Sequence, residues 1–124
     1  MSHAINWFEI PARDMDRATR FWETVLARPL KREVFGGVPH AIFSNGDDKS
    51  VSGALVNDGK RQPWGQGTLV YLDAGRDLDG CIARVERAGS KVAVPKTDIG
   101  EHGAFAVVID TEGNAVGLHA PRAS

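Results

Sequence analysis

The sequence predicts an α+β domain: two tandem strand-helix-strand-strand-strand modules forming a curved mixed sheet around a cleft, with the helices on its outer face. Two observations predict it. Arg13-Asp14-Met15-Asp16 returns 63 residues later as Arg76-Asp77-Leu78-Asp79, and the same offset pairs Gly37 with Gly100, Leu55 with Leu118 and Trp22 with Val85. Within each copy a strand-like run gives way to an apolar stripe at helical spacing and then to further strand-like runs. The 124 residues are expected to be one domain, with module one at 5–56, a linker at 57–67 and module two at 68–120.

The first strand opens with Ile5-Asn6-Trp7-Phe8, repeated as Thr68-Leu69-Val70-Tyr71. An Asp then caps each helix by accepting from its first free amides. Met15, Ala18, Trp22, Val25 and Leu26 form the apolar stripe of the first helix, and Leu78, Cys81, Ile82, Val85 and Ala88 that of the second, where Gly89 supplies a left-handed stop. Later strands are expected at Leu30 to Phe35, His40 to Ser44 and Gly53 to Val56, then at Lys91 to Pro95, Ala104 to Asp110 and Ala115 to Ala120. Asn45-Gly46 and Glu112-Gly113-Asn114 carry turn chemistry, and the polar, glycine-rich stretch from Asn57 to Gly67 is the linker.

A formal charge of -1 offers no electrostatic pull on nucleic acid or an anionic membrane. Cys81 is the one cysteine, so neither an intrachain disulfide nor a Cys/His zinc cluster is available. Its place in the helical stripe marks it as a small buried apolar group rather than a nucleophile. With no basic leader and no long apolar run, a cytoplasmic location is expected.

Two such modules, with Asp110-Thr111-Glu112-Gly113-Asn114 before the last strand, resemble the vicinal oxygen chelate superfamily from Ile5 to Ala120. Its members include glyoxalase I, extradiol dioxygenases and antibiotic-resistance proteins that bind bleomycin or modify fosfomycin. The resemblance implies a metal held by the first and last strands of each module. Its ligand positions fall here on Trp7, Val70, Gly117 and, through the repeat, Ala54, none of which carries a donor. A slip onto Thr68, Leu72, Ser52 or Val56 supplies none either. The expectation is therefore a small-molecule-binding protein with no metal and no cofactor, and a homodimer as the resemblance implies. The alternative is a lyase, isomerase or dioxygenase-type enzyme, metal-free or with ligands moved to His40, Glu101 and His102.

Strand alternation puts Glu9 beside Trp7 and His119 beside Gly117 on the cleft side. Trp7, Glu9, His102 and His119 are the expected ligand contacts, with Glu9 and His119 as candidate acid and base. Against this stands the reading of both as strand-end residues tied to backbone. His102, within Gly100-Glu101-His102-Gly103, belongs to a flap or to a hairpin turn, and His40 to the corresponding loop of module one. Trp7 either floors an apolar pocket or plugs the cleft. Trp64 in the linker is a lid or a subunit anchor; Trp22 is core, and His3 is terminal and solvated. Arg13 and Arg76, repeated before each capping Asp, have a structural role, while Asp16 and Asp79 suit the positive ends of their helices.

Overall fold

Both helices begin at the expected aspartates. In the computed structural model, which describes residues 7–43 and 51–122, Asp14 Oδ1 accepts from the Arg17 amide at 3.0 Å and Asp77 Oδ1 from the Gly80 amide at 3.1 Å. These bonds satisfy amides that no helical carbonyl reaches. In chain order the elements are β1 (Trp7–Pro11), α1 (Met15–Leu26), β2 (Lys31–Phe35), β3 (Val38–Ile42), β4 (Ser52–Val56), β5 (Tyr71–Asp73), α2 (Leu78–Arg87), β6 (Lys91–Asp98), a 3-10 turn at Gly100–His102, β7 (Ala104–Ile109) and β8 (Ala115–Ala120). Helix α1 ends on Ala27 in the left-handed conformation (φ 55°), a role that Gly89 (φ 81°) fills after α2.

The strands form the mixed sheets of the expected α+β fold of two tandem modules, one four-stranded sheet per module where the sequence suggested one continuous sheet, ordered β1-β4-β3-β2 and β5-β8-β7-β6. In each module the first strand pairs parallel with the last, and the other pairings are antiparallel. Strand β5 starts at Tyr71, later than the sequence suggested, and β3 starts before His40; β1 is described from Trp7 onward. Strand β6 runs beyond Pro95 to Asp98, with two register shifts that bend it against β7. His3, Ile5, Asn6, Ser44 and the Asn45-Gly46 turn lie outside the described residues.

The repeat carries one irregularity. Glu9 pairs with Ala54 as Tyr71 pairs with Gly117, so the offset is 62 residues in the first strand and 63 in the last. Gly75, left-handed at φ 64°, is the extra residue between β5 and α2. Trp7 therefore corresponds to Leu69 rather than Val70.

One core serves both modules. Trp22, Val25, Leu55, Val85, Val108 and Leu118 are each 0% exposed within a single apolar cluster, and α1 packs directly on α2. Cys81 lies in it, and burial pushes its thiol above the ordinary value.

The Asp110 to Asn114 turn fastens the modules together. Asp110 Oδ1 accepts from the amides of Glu112 and Asn114, both at 2.9 Å, while its Oδ2 accepts from Asn114 Nδ2 and from Trp22 Nε1 of α1. Asn114 Nδ2 also donates to the Pro11 carbonyl. Glu112, whose side chain is fully buried, accepts from the Arg13 and Asp14 amides and from Arg17 Nε at 2.6 Å. Asp110, Glu112 and Asn114, the buried polar side chains of this turn, thus each have a partner in module one.

Candidate functional site

Each sheet presents one face to the helices and one away from them. On sheet one, Ile10, Ala41 and Leu55 enter the common core, so by alternation Trp7, Glu9, His40, Ala54 and Val56 lie on the opposite face. Ala54 and Val56 are buried there but lie outside the core cluster. On sheet two Leu72, Ala106, Val108 and Leu118 face the core, leaving Tyr71, Phe105, Val107, Gly117 and His119 on the helix-free side.

The helix-free face of module one holds a compact polar cluster. Trp7 Nε1 donates to Glu9 Oε2 at 3.3 Å, Arg61 Nη2 meets Glu9 Oε1 at 2.6 Å, and His40 Nε2 stands 3.8 Å from Glu9 Oε2. The Arg61 hydrogen bond, outweighing partial burial and helped by Trp7 and His40, holds the Glu9 carboxyl below its ordinary value. Arg61 is held in turn by Asp58, whose carboxyl is lowered to about 2, chiefly by the Arg61 and Lys60 amides. His40 Nδ1 lies 2.9 Å from the Val38 carbonyl oxygen, which can accept only from a protonated Nδ1, so neutral His40 turns a bare Nε2 toward Glu9. Its ring edge meets Phe35, with centroids 4.9 Å apart.

On module two, Tyr71 packs against Phe105 with ring centroids 5.9 Å apart, and its ring crosses Gly117. A Cβ added at Gly117 would stand 2.6 Å from Tyr71 Cε1 and closer still to Cδ1. The glycine at the position implied for a last-strand ligand makes room for an aromatic ring.

Trp7 and Glu9 are brought together as expected. Glu9 and His119 are not: the partners of Glu9 are Trp7, Arg61 and His40, while His119 Nε2 lies 2.7 Å from the His102 carbonyl oxygen. His102 and Glu101 stand on the exposed 3-10 turn between β6 and β7, their side chains 79% and 82% exposed. His40, expected in a loop, is a β3 residue at 9% exposure. Among the described residues no group of three or more His, Cys, Asp or Glu side chains converges as metal ligands would.

Reading the sequence missed Arg61, Tyr71 and Phe105. A lone arginine in a polar linker gives no periodic signal. Tyr71 was concealed by the one-residue slip at Gly75, which makes it the counterpart of Glu9 rather than of Phe8. Trp64 is 65% exposed although its backbone is pinned by Asn114 Oδ1 and by the Ala115 amide, and it borders a crevice of about 120 Å³ that Glu9 and Val70 also line.

Known proteins place this arrangement. The family model described as Glyoxalase/Bleomycin resistance protein/Dioxygenase superfamily matches residues 4–118. Among solved structures, TnmS3, an antibiotic binding protein from Streptomyces sp. CB03234, is 26% identical, with a TM-score of 0.61 and 98% of both chains covered. The fosfomycin resistance protein FosX from Listeria monocytogenes is 11% identical (TM-score 0.69; 98% of this chain and 96% of FosX), and Leishmania major glyoxalase I is 18% identical (TM-score 0.68; 96% and 87%); these two share the fold. No curated protein matches the sequence significantly. The chain belongs to the glyoxalase/bleomycin resistance/dioxygenase superfamily, the vicinal oxygen chelate proteins.

Proposed function

We propose that this protein binds a small, flat organic molecule on its helix-free sheet faces and works without the metal of its enzymatic relatives. The observation that carries this reading is the Tyr71 ring lying across Gly117, opposite a module whose first-strand position is Trp7. The residues at the four implied positions do not fit a metal: Trp7, Ala54 and Gly117 have no donor, and neither Val70 nor Leu69 supplies one. Glu9 and His40 are two donors, not a set, and Arg61 occupies the carboxylate. In place of ions the faces offer aromatic surface: Trp7 is 43%, Phe35 48% and Tyr71 50% exposed. Such rings stack on flat ligands, with Glu9 and Arg61 giving polar orientation. The description of TnmS3 as an antibiotic binding protein supports the same class of role.

A second copy of the chain would cover these rings and close the two open faces into a cup, so we assign a homodimer, acting in the cytoplasm. Among the described residues no helix is long and apolar enough to cross a membrane. The enzyme reading draws on the Glu9–His40 pair, in which the Nε2 turned toward Glu9 is placed to take a proton from a bound carbon acid.

The test is a screen of polycyclic aromatic ligands by tryptophan fluorescence quenching, repeated with Trp7→Ala and with light scattering to fix the mass. Saturable quenching lost at least tenfold in Trp7→Ala supports the binding reading. Stoichiometric metal retained by tag-free protein, or unchanged affinity in Trp7→Ala, overturns it. Release of solvent-exchangeable label from a carbon acid, abolished in His40→Ala, would move the assignment to an enzyme.

A further inference from the structure

A second cavity lies away from both helix-free faces. It measures about 470 Å³ and is bounded by the start of α2, the end of β6 and the residues that follow β8. Leu78, Ala104 and Ala120 form its floor and belong to, or pack on, the shared core, which puts the cavity on the helix side of sheet two. It shares no residue with the crevice beside Glu9. The volume is within the range of small-molecule sites, roughly 300–1,000 Å³.

Its charged lining is unbalanced. Arg76, Lys96 and Arg122 face Asp79 and Asp98. Lys96 Nζ is held by Asp79 at 3.1 Å, and Asp98 Oδ1 accepts from the Gly100 amide at 2.7 Å. Arg76 and Arg122, both exposed, have neither an ion pair nor a side-chain hydrogen bond among the described residues. Asp77 already caps α2, so the feature is a pair of guanidinium groups over an apolar floor and not the helix end. A guanidinium pairs bidentately with carboxylate or phosphate oxygens, and a hydrocarbon body would cover the floor.

We propose that this cavity binds a small organic anion, a carboxylate or phosphate group on an apolar body, between Arg76 and Arg122. The site is independent of the helix-free faces, and the repeat does not duplicate it. Arg13, the counterpart of Arg76, gives its amide to Glu112 and its Nε to Gln62.

Titration of the full chain with benzoate, phenyl phosphate, inorganic phosphate and the neutral benzyl alcohol, followed by amide NMR shifts, tests the proposal. The expected result is saturation by benzoate or phenyl phosphate, with shifts centred on Gly100, Gly103 and Ala104; the better of the two identifies the head group. Benzyl alcohol and inorganic phosphate should each bind at least tenfold more weakly. Arg76→Gln and Arg122→Gln should each weaken binding at least tenfold, with folded spectra retained, and Trp7→Ala should leave it unchanged. No saturation by roughly 10 mM, shifts centred on Trp7 or Tyr71, equal binding of benzyl alcohol or inorganic phosphate, or indifference to both arginine variants would each overturn it.

Discussion

Replacing Gly117 with Ala tests whether the Tyr71 ring holds its place over β8. Gly117 does not have a positive φ, so the backbone accepts alanine without strain, and the entire cost must come from the collision with Tyr71. Tyr71 is half exposed and can swing toward solvent, forfeiting its contact with Phe105. That aromatic pair is worth about 0.5–1.5 kcal/mol, and displacing the ring from a fitted rotamer adds about 0.5–1.5 kcal/mol. The sum, about 1–3 kcal/mol, is reduced by up to about 1 kcal/mol because alanine orders more cheaply in a strand than glycine. The assay is a double-mutant cycle in urea. Gly117→Ala should destabilise the wild type by about 1–2 kcal/mol and be neutral or stabilising in a Tyr71→Ala background, giving a coupling of at least about 1 kcal/mol. Equal effects in the two backgrounds would refute the reasoning. Gly53→Ala is the contrasting case: its Cβ would meet both the Phe8 ring, already packed on Phe43, and the immovable Phe8 carbonyl. Its cost should therefore be higher, about 3 kcal/mol.

Three further outcomes are expected. Ala27→Gly should raise stability by about 1 kcal/mol, visible as an increase of about 4 °C in thermal midpoint, because Ala27 holds a left-handed conformation at the end of α1. Glu112→Ala should cost about 3 kcal/mol, since it strands the Arg13 and Asp14 amides and unpairs Arg17. Although burial opposes it, the bonds from Arg17 and these amides hold the Glu112 carboxyl below the ordinary value of a glutamate. The stability it contributes is full above that value and lost as pH falls through the lower folded value, so the variant should show a flatter acid limb in urea midpoint against pH. Cys81, buried and with its thiol pushed up, should react with a thiol reagent at neutral pH only as fast as the chain opens, so labelling should accelerate with added urea; immediate labelling of the native chain would contradict that.

The repeat, the capping aspartates and the apolar stripes were legible because each is a local pattern read at a fixed period: Asp14 and Asp77 cap their helices, and Trp22 and Cys81 lie in the core. The division into two sheets was not, because it depends on which strand edges meet, and sequence spacing is silent on that. The pairing of Trp7 with Glu9 followed from alternation within one strand. The environment of Glu9 did not, because Arg61 reaches it from the linker across 52 positions of sequence and His40 from a neighbouring strand. Glu9 and His119 were candidates to meet on the condition that both strand positions faced one cleft. They sit on different sheets with different partners, and His119 takes the backbone contact that was its alternative reading.

The slip at Gly75 links these observations. In an unbroken repeat the residue opposite Gly117 would be the counterpart of Phe8, a side chain that packs toward the core beside Gly53 and Phe43. One added residue between β5 and α2 moves every β5 side chain to the other face relative to that repeat, since alternation has a period of two. Leu72 thereby enters the core and Tyr71 emerges over Gly117 on the helix-free face. The corresponding place in module one holds Glu9, opposite Ala54, where there is no ring and the carboxylate is left to Arg61 and His40. Two modules with one repeated pattern thus present unlike faces, one charged and hydrogen-bonding, the other aromatic. A ligand spanning both would need a polar end and a flat apolar body. Deleting Gly75 should therefore exchange the exposures of Tyr71 and Leu72, or shift the strain into α2, and either result should weaken the proposed aromatic ligand binding while leaving the Glu9 cluster intact.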